Sequence, residues 1–290
     1  LTILQTGDGS LWMGGWGTGL ARLDPGRSGV TRYRHHPDDP ASLLSNDIWK
    51  IRRLRSGEIA VATQRGTNLF DPASGHALRL SQRYPGVPDA MTLEMVETRS
   101  GDLWLGQNAR LVNIRPGTGQ VTVYGHDQRG SLHLAGGQVF AILEDSRGTL
   151  WIGGEGGLVY LPESHQPGAP LLSKAGLPSP VVTSLVEDAQ GNLWVTTHAG
   201  LSKLVGVVQD PGAQLVNHFD VHDGLQDNEF SRGAALRARD GRLYFGGRRG
   251  FNAFLPDQVP SNKTPPPIVF TDLRVLGRTV RPGQPSSLLP

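Results

Sequence analysis

Histidines and paired carboxylates are the residues of this sequence whose types could do chemistry. Nine His are present, and His35 and His36 are adjacent in a segment that continues Pro-Asp-Asp-Pro. Adjacent side chains of a strand point to opposite faces, so neighbouring histidines rarely share one metal ion. The chain has no Cys, which excludes thiol nucleophiles, disulfides and Cys-based zinc sites. We therefore expect no metal site, and surface or hydrogen-bonding roles for the histidines.

Two acidic pairs, Glu144-Asp145 and Glu187-Asp188, offer the two carboxylates that glycoside hydrolysis requires. Both pairs, however, precede the same Gly-containing phrase, where an Asp side chain can accept hydrogen bonds from the backbone of a turn. We therefore expect these pairs to cap turns. The sequence has no Gly-x-Ser-x-Gly elbow, phosphate loop or dinucleotide fingerprint. It predicts no catalytic residue and no cofactor.

Charge and composition limit the classes of partner. The formal net charge is +2, and only four of the 28 basic residues are Lys. The Arg residues are scattered rather than gathered in a basic stripe, which argues against a nucleic-acid partner. No run approaches the roughly 18 apolar residues of a membrane span, and no signal peptide is visible. The first residues already have the pattern of a strand and lack an initiator Met, so we expect both ends to be cuts through a longer polypeptide.

A repeated phrase organises the chain. It reads Asp-x-x-Gly-x-Leu-Trp, then Ile, Val or Met and Gly, and after a short gap Gly-Leu and an apolar pair. Its Trp position falls at residues 12, 60, 104, 151, 194 and 244, at intervals of 43 to 50 residues. Ala60 and Tyr244 replace Trp in two weaker copies, and the copy at Asn108–Leu111 lacks the Gly-Leu. Such a period indicates a repeat architecture.

The phrase predicts a hairpin. An apolar strand precedes it, Asp and Gly form the turn, and the Leu-Trp-Ile-Gly piece returns as the partner strand. A third strand follows the Gly-Leu, and a fourth lies in the variable remainder. Four strands per repeat of this length form the blade of a β-propeller. We therefore predict an all-β fold of about six four-stranded blades, with each Trp packed between neighbouring blades.

The phrase resembles the two-component regulator propeller repeat over residues 1–260. That resemblance implies the extracytoplasmic sensor region of a bacterial hybrid histidine kinase or diguanylate cyclase. The family usually carries two seven-bladed propellers, whereas this chain supplies at most six blades. The ring is therefore expected either to close with six blades or to be an open seven-bladed ring that lacks one.

The C-terminal segment also resembles this family. Pro265, Pro266 and Pro267 precede an apolar strand, as at the joint to the Tyr-Tyr-Tyr β-sandwich domain. The three Pro favour an extended linker. We therefore divide the chain into a propeller at 1–262 and a linker with the first strand or strands of a β-sandwich at 263–290.

Ligands of propellers commonly meet the loops at one end of the central channel. Residues after the Trp strand occupy equivalent places in successive blades, and we predict them as ligand-binding residues: Trp16, Gln64, Arg65, Asn108, Arg110, Glu155, His198, Arg248 and Arg249.

The leading functional hypothesis is a periplasmic sensing domain of a membrane-anchored, dimeric receptor. Its ligand would be a small molecule, an oligosaccharide or a partner protein. The alternatives are a propeller enzyme, such as a lyase or glycosidase, and a protein-interaction scaffold.

Overall fold

The computed structural model describes residues 1–26, 29–125, 137–161, 172–174, 176–213 and 215–259, with two short strands beyond them. The chain divides into two compact units, Leu1–Pro256 and Asp257–Pro290. The two short strands, Arg274–Val275 and Arg278–Thr279, pair with each other in the second unit. The sandwich predicted at 263–290 otherwise lies outside the described residues.

The first unit is built of six antiparallel sheets, which we number blades 1 to 6. In each, neighbouring strands follow chain order. Blades 1 to 5 have four strands, and blade 6 has three in the described residues. This confirms the predicted all-β propeller.

The first strand of each blade, called the inner strand here, contacts the inner strands of neighbouring blades around the centre. Blades 1 to 3 comprise Thr2–Gln5, Leu11–Gly15, Gly19–Leu23 and Val30–Tyr33; Ile48–Arg53, Ile59–Thr63, Gly66–Phe70 and Ala77–Arg79; and Thr92–Glu97, Leu103–Gln107, Arg110–Arg115 and Gln120–Gly125. Blades 4 to 6 comprise Val139–Glu144, Leu150–Gly154, Gly157–Leu161 and Leu172–Lys174; Val182–Glu187, Leu193–Thr197, Gly200–Leu204 and Val216–Phe219; and Phe230–Arg237, Leu243–Gly247 and Gly250–Phe254. A short helix, Leu80–Arg83, follows blade 2, and 3-10 turns form at Val221–Asp223 and Pro256–Gln258.

The Asp of the repeated phrase holds its turn and the Trp together. Asp188 Oδ1 accepts from the backbone N–H of Gln190 at 3.0 Å and of Asn192 at 2.9 Å. Its Oδ2 accepts from the indole Nε1 of Trp194 at 2.8 Å. Asp145 makes the same contacts in blade 4. Turn capping is therefore confirmed for both aspartates.

The Glu of each pair has a different role from the predicted turn capping. Glu144 Oε2 accepts from the backbone N–H of Arg99, in the turn of the preceding blade, at 2.8 Å. Glu187 accepts in the same way from Ser146 at 2.8 Å. The prediction is wrong for these two residues because the inner strand ends beside the neighbouring turn. The Glu side chain therefore reaches across the blade interface rather than back into its own turn.

The Trp side chains pack against the next blade. Trp12, Trp104, Trp151 and Trp194 are at most 1% exposed. Trp12 meets Phe70 of blade 2 at a centroid distance of 5.5 Å, and Trp194 meets Phe254 of blade 6 at 5.0 Å. Burying about 200 Å² of each indole at about 25 cal/mol per Å² stabilises the fold by roughly 5 kcal/mol relative to exposure. The predicted packing between blades is confirmed.

The corresponding face of blade 6 is exposed. Phe251 pairs with Gly246 at the position that Leu158 and Leu201 occupy in blades 4 and 5. The two leucines are 1% exposed, whereas Phe251 is 66% exposed. At the other end, Ile3 of blade 1 is also exposed. In the part of the chain that the structure describes, blades 1 and 6 do not cover each other as other neighbours do. In the described residues the ring is therefore open between blades 1 and 6.

Candidate functional site

The inner strands carry bulges that send extra side chains toward the centre of the ring. In blade 2, Ile48 pairs with Thr63 and Lys50 with Ala62, so Trp49 is the extra residue. Leu93 and Phe140 are the extra residues of blades 3 and 4. A bulge inserts one residue into a strand and redirects its side chain. All three residues line a central cavity of about 320 Å³.

Blade 6 carries a longer bulge. Phe230 pairs with Gly247 and Ala235 with Phe245, so four residues, 231–234, stand opposite the single Gly246. This segment, called the blade 6 bulge here, brings Arg232 and Gly233 to the wall of the cavity. Gly233 has φ +65°, and a Cβ on it would lie 3.9 Å from Lys50 Nζ. The blade 6 bulge thus approaches blade 2 across the centre of the ring.

An ion pair joins two blades at the cavity wall. Lys50 Nζ of blade 2 lies 2.6 Å from Glu94 Oε2 of blade 3. Glu94 is only 5% exposed, and its Oε1 accepts from the N–H of Met95 at 2.9 Å. A buried carboxylate needs a charged partner and hydrogen bonds to offset its lost hydration. Lys50 and the Met95 amide supply them.

The second cation of the cavity is Arg232. Its guanidinium carbon lies 3.8 Å from the centroid of the Phe140 ring, a cation–π contact. Its Nη1 donates to Gln138 Oε1 at 3.3 Å. The charged side chains on the cavity wall are therefore two cations and one carboxylate, with a net charge of +1. Trp49 supplies partly exposed apolar surface beside them, and the nearly buried Phe140 and Ile51 complete this part of the wall.

The nine predicted binding residues lie elsewhere. All are exposed at or beside the turns between the second and third strands of their blades: Trp16, Gln64, Arg65, Asn108, Arg110, Glu155, His198, Arg248 and Arg249. Each blade presents this turn at equivalent chain positions, but none of the nine lines the cavity. Their role in binding stays a prediction.

Three of the nine support the cavity wall indirectly. Gln64 Oε1 accepts from the indole Nε1 of Trp49 at 3.2 Å, and Trp16 packs edge-on against Trp49 at 5.3 Å. Glu155 Oε2 accepts from the N–H of Gln138 at 3.0 Å, and the Gln138 side chain contacts Arg232.

The two arginines of blade 6 make contacts within their own blade. Arg248 Nη1 lies 2.7 Å from Glu229 Oε2, and the N–H of Arg249 donates to Gln226 Oε1 at 2.8 Å.

The cavity residues escaped the sequence prediction because bulges break the alternation of a strand. One available signal was a charged residue between two apolar neighbours of an inner strand: Lys50 stands between Trp49 and Ile51, and Glu94 between Leu93 and Met95. In the described residues, no three His, Asp or Glu side chains gather as metal ligands. No helix there is long and apolar enough to cross a membrane.

Comparison with known sequences identifies the repeat. The family model described as two component regulator propeller matches residues 133–156 and 176–199. Histidine kinase P4 of Formosa agariphila is 34% identical over 71 residues, which is 24% of this chain and 5% of that protein. The present chain thus spans a small part of that relative.

Solved structures share the fold. PorZ, a surface component of the type-IX secretion system of Porphyromonas gingivalis, matches with a TM-score of 0.63 and 18% identity over 88% of this chain and 38% of PorZ. A streptogramin B lyase matches with a TM-score of 0.62 and 13% identity over 87% of this chain and 77% of the lyase. At these identities the likeness concerns the fold alone. The family match identifies two-component regulator propeller repeats at residues 133–156 and 176–199, and the solved structures support the β-propeller fold of the chain.

Proposed function

We propose that this propeller is the extracytoplasmic sensing region of a membrane-bound signalling receptor. The observation that carries the proposal is the two-component regulator repeat, which the family model matches in blades 4 and 5. A relative named as a histidine kinase shares part of the chain. In this proposal the propeller binds a ligand in its central cavity and passes the change to an output kinase or cyclase elsewhere in the polypeptide.

The cavity supports a binding role rather than a purely structural one. Its wall holds Lys50, Glu94 and Arg232 on three different blades, next to aromatic surface. Polar groups converging on an apolar concave site are typical of small-molecule sites. Fold alone does not decide function, since a lyase shares this architecture. The proposal therefore rests on the repeat family and on this wall.

The test is the full reading frame, followed by an export assay. We expect a membrane span and a kinase or cyclase domain to be encoded downstream of the propeller. A bacterial alkaline phosphatase fused after the propeller in that frame should be active, because the enzyme matures only outside the cytoplasm, where its disulfides form. A frame without a membrane span, or a phosphatase fusion that is stable but inactive, would overturn the proposal.

A further inference from the structure

We propose that the central cavity binds a small organic monocarboxylate between Arg232 and Lys50. This inference names the ligand class of the proposed sensing function and rests on it. The starting observation is that only one of the two cations on the cavity wall has a carboxylate partner in the described residues. Lys50 is paired with Glu94 at 2.6 Å. Within the described residues, no carboxylate pairs with Arg232, whose hydrogen bond goes to the neutral amide of Gln138.

The setting of Arg232 leaves its guanidinium available to a ligand. The ring of Phe140 lies 3.8 Å from the guanidinium carbon, so one face of the guanidinium is covered. The N–H donors project from the edge of the planar group, and an arginine fork matches the two oxygens of a carboxylate. Arg232 as a whole is exposed at the cavity wall, which gives an incoming anion access to that edge.

The charge of the wall favours a monoanion. Lys50, Arg232 and Glu94 sum to +1, which a single carboxylate neutralises. A cation would face two positive groups. A dianion such as hydrogen phosphate would leave an excess negative charge close to Glu94, whose carboxylate is nearly buried and therefore weakly screened.

The size and lining of the cavity favour an organic molecule. Its volume is about 320 Å³, at the small end of the range of about 300–1000 Å³ that ligand pockets occupy. Trp49 and Leu93, both partly exposed, supply apolar surface next to the charged groups, and the nearly buried Phe140 and Ile51 lie behind them in the wall. A ligand with one carboxylate and a compact apolar body satisfies both parts of the wall.

Binding at this place would connect blades that are distant along the chain. Lys50 belongs to blade 2, whereas Arg232 belongs to the blade 6 bulge. Blade 6 is also the last blade of the first unit, which ends at Pro256. A carboxylate held by both cations would tie the blade 6 bulge to blade 2. The ligand would thereby restrain blade 6, the blade that directly precedes the second unit in the sequence.

The experiment uses benzoate and its neutral isostere benzamide as probes, titrated into the purified chain by isothermal calorimetry. We expect benzoate to bind and benzamide to bind about 10- to 100-fold more weakly, the ratio expected when a charge-assisted hydrogen bond is lost. Arg232→Gln should reduce the benzoate affinity to that of benzamide. Arg239→Gln is the matched control, because Arg239 is exposed on the same blade and does not line the cavity. Circular dichroism establishes that both variants are folded.

Each outcome decides the inference. Equal affinities for benzoate and benzamide, no heat from benzoate, or an equal loss in the Arg239 control would overturn it. Arg232→Lys provides a second check, since a retained charge without the fork should recover part of the affinity. Absent benzoate binding alongside an active phosphatase fusion would remove the carboxylate inference and leave the sensing region in place. Benzoate binding alongside an inactive fusion would support the carboxylate site and remove the proposal of an extracytoplasmic sensing region.

Discussion

Replacing Asp188 with Ala should strongly destabilise blade 5. Asp188 is 2% exposed and accepts from the amide of Asn192, the side chain of Asn192 and the indole of Trp194. All three donors are buried, and each costs about 1–3 kcal/mol when left without a partner. Their sum, about 3–9 kcal/mol, is a large part of the 5–15 kcal/mol that stabilises a typical domain.

The matched control is Asp240→Ala in blade 6. Asp240 is exposed, and its Oδ1 accepts from the N–H of Arg242 at 3.0 Å. Water can replace that carboxylate, so the loss should stay below about 1 kcal/mol. Urea unfolding followed by tryptophan fluorescence measures both variants. If the loss of unfolding free energy in Asp188→Ala were within about 0.5 kcal/mol of the loss in the control, the reasoning would be refuted. The hydrogen bonds from buried donors would then not be what stabilises the turn.

Three further changes test other parts of the fold. Phe251→Ala on the exposed face of blade 6 should cost less than about 1 kcal/mol, whereas Leu201→Ala at the equivalent buried position should cost about 2–5 kcal/mol in urea unfolding; similar losses would contradict the open ring. Glu144→Ala should cost about 0.5–1.5 kcal/mol, because water can partly replace the lost acceptor, and should speed hydrogen exchange at the Arg99 amide; unchanged exchange there would argue against the contact between blades. Hydrogen bonds from the side chain of Thr6 and from Ser10 lower the pKa of Asp8 from 3.8 to about 2. Its stabilising effect is therefore fully present above pH 3.8 and lost as the pH falls through about 2, so Asp8→Asn should lower the melting temperature at neutral pH and do so by much less at pH 2.

The fold was predictable because its signals are local and repeated. An Asp-Gly turn followed by Leu-Trp specifies a hairpin from a few adjacent residues, and six copies at a steady period specify a propeller. The packing of the Trp side chains between blades followed from the same regularity. The open ring did not, because exposure of Phe251 depends on which blade lies beside it, and that is a property of the whole assembly.

The cavity was less predictable because it depends on bulges. Trp49 and Phe140 line it only because each is the extra residue of its strand. In a regular strand, side chains alternate between two faces, and that rule does not direct an additional residue to the axis. The sequence argument instead predicted the exposed turns, among them Gln64 and Glu155, because these turns recur at equivalent places in successive blades. In the structure these two residues contact the wall through Trp49 and Gln138.

The repeat itself indicates where specificity must lie. Asp188, Trp194 and their counterparts in other blades perform the same structural task, so they cannot distinguish one ligand from another. The inner position opposite the Gly of the repeated phrase, which Ala62 replaces in blade 2, differs from blade to blade: it is Thr2 in blade 1, Lys50 in blade 2 and Glu94 in blade 3. These three positions line the same central cavity, and they differ only in the identity of their side chains. A propeller of near-identical blades recognises an asymmetric ligand through such deviations. In this chain they place Lys50 and Glu94 on the wall of one cavity, to which the blade 6 bulge adds Arg232.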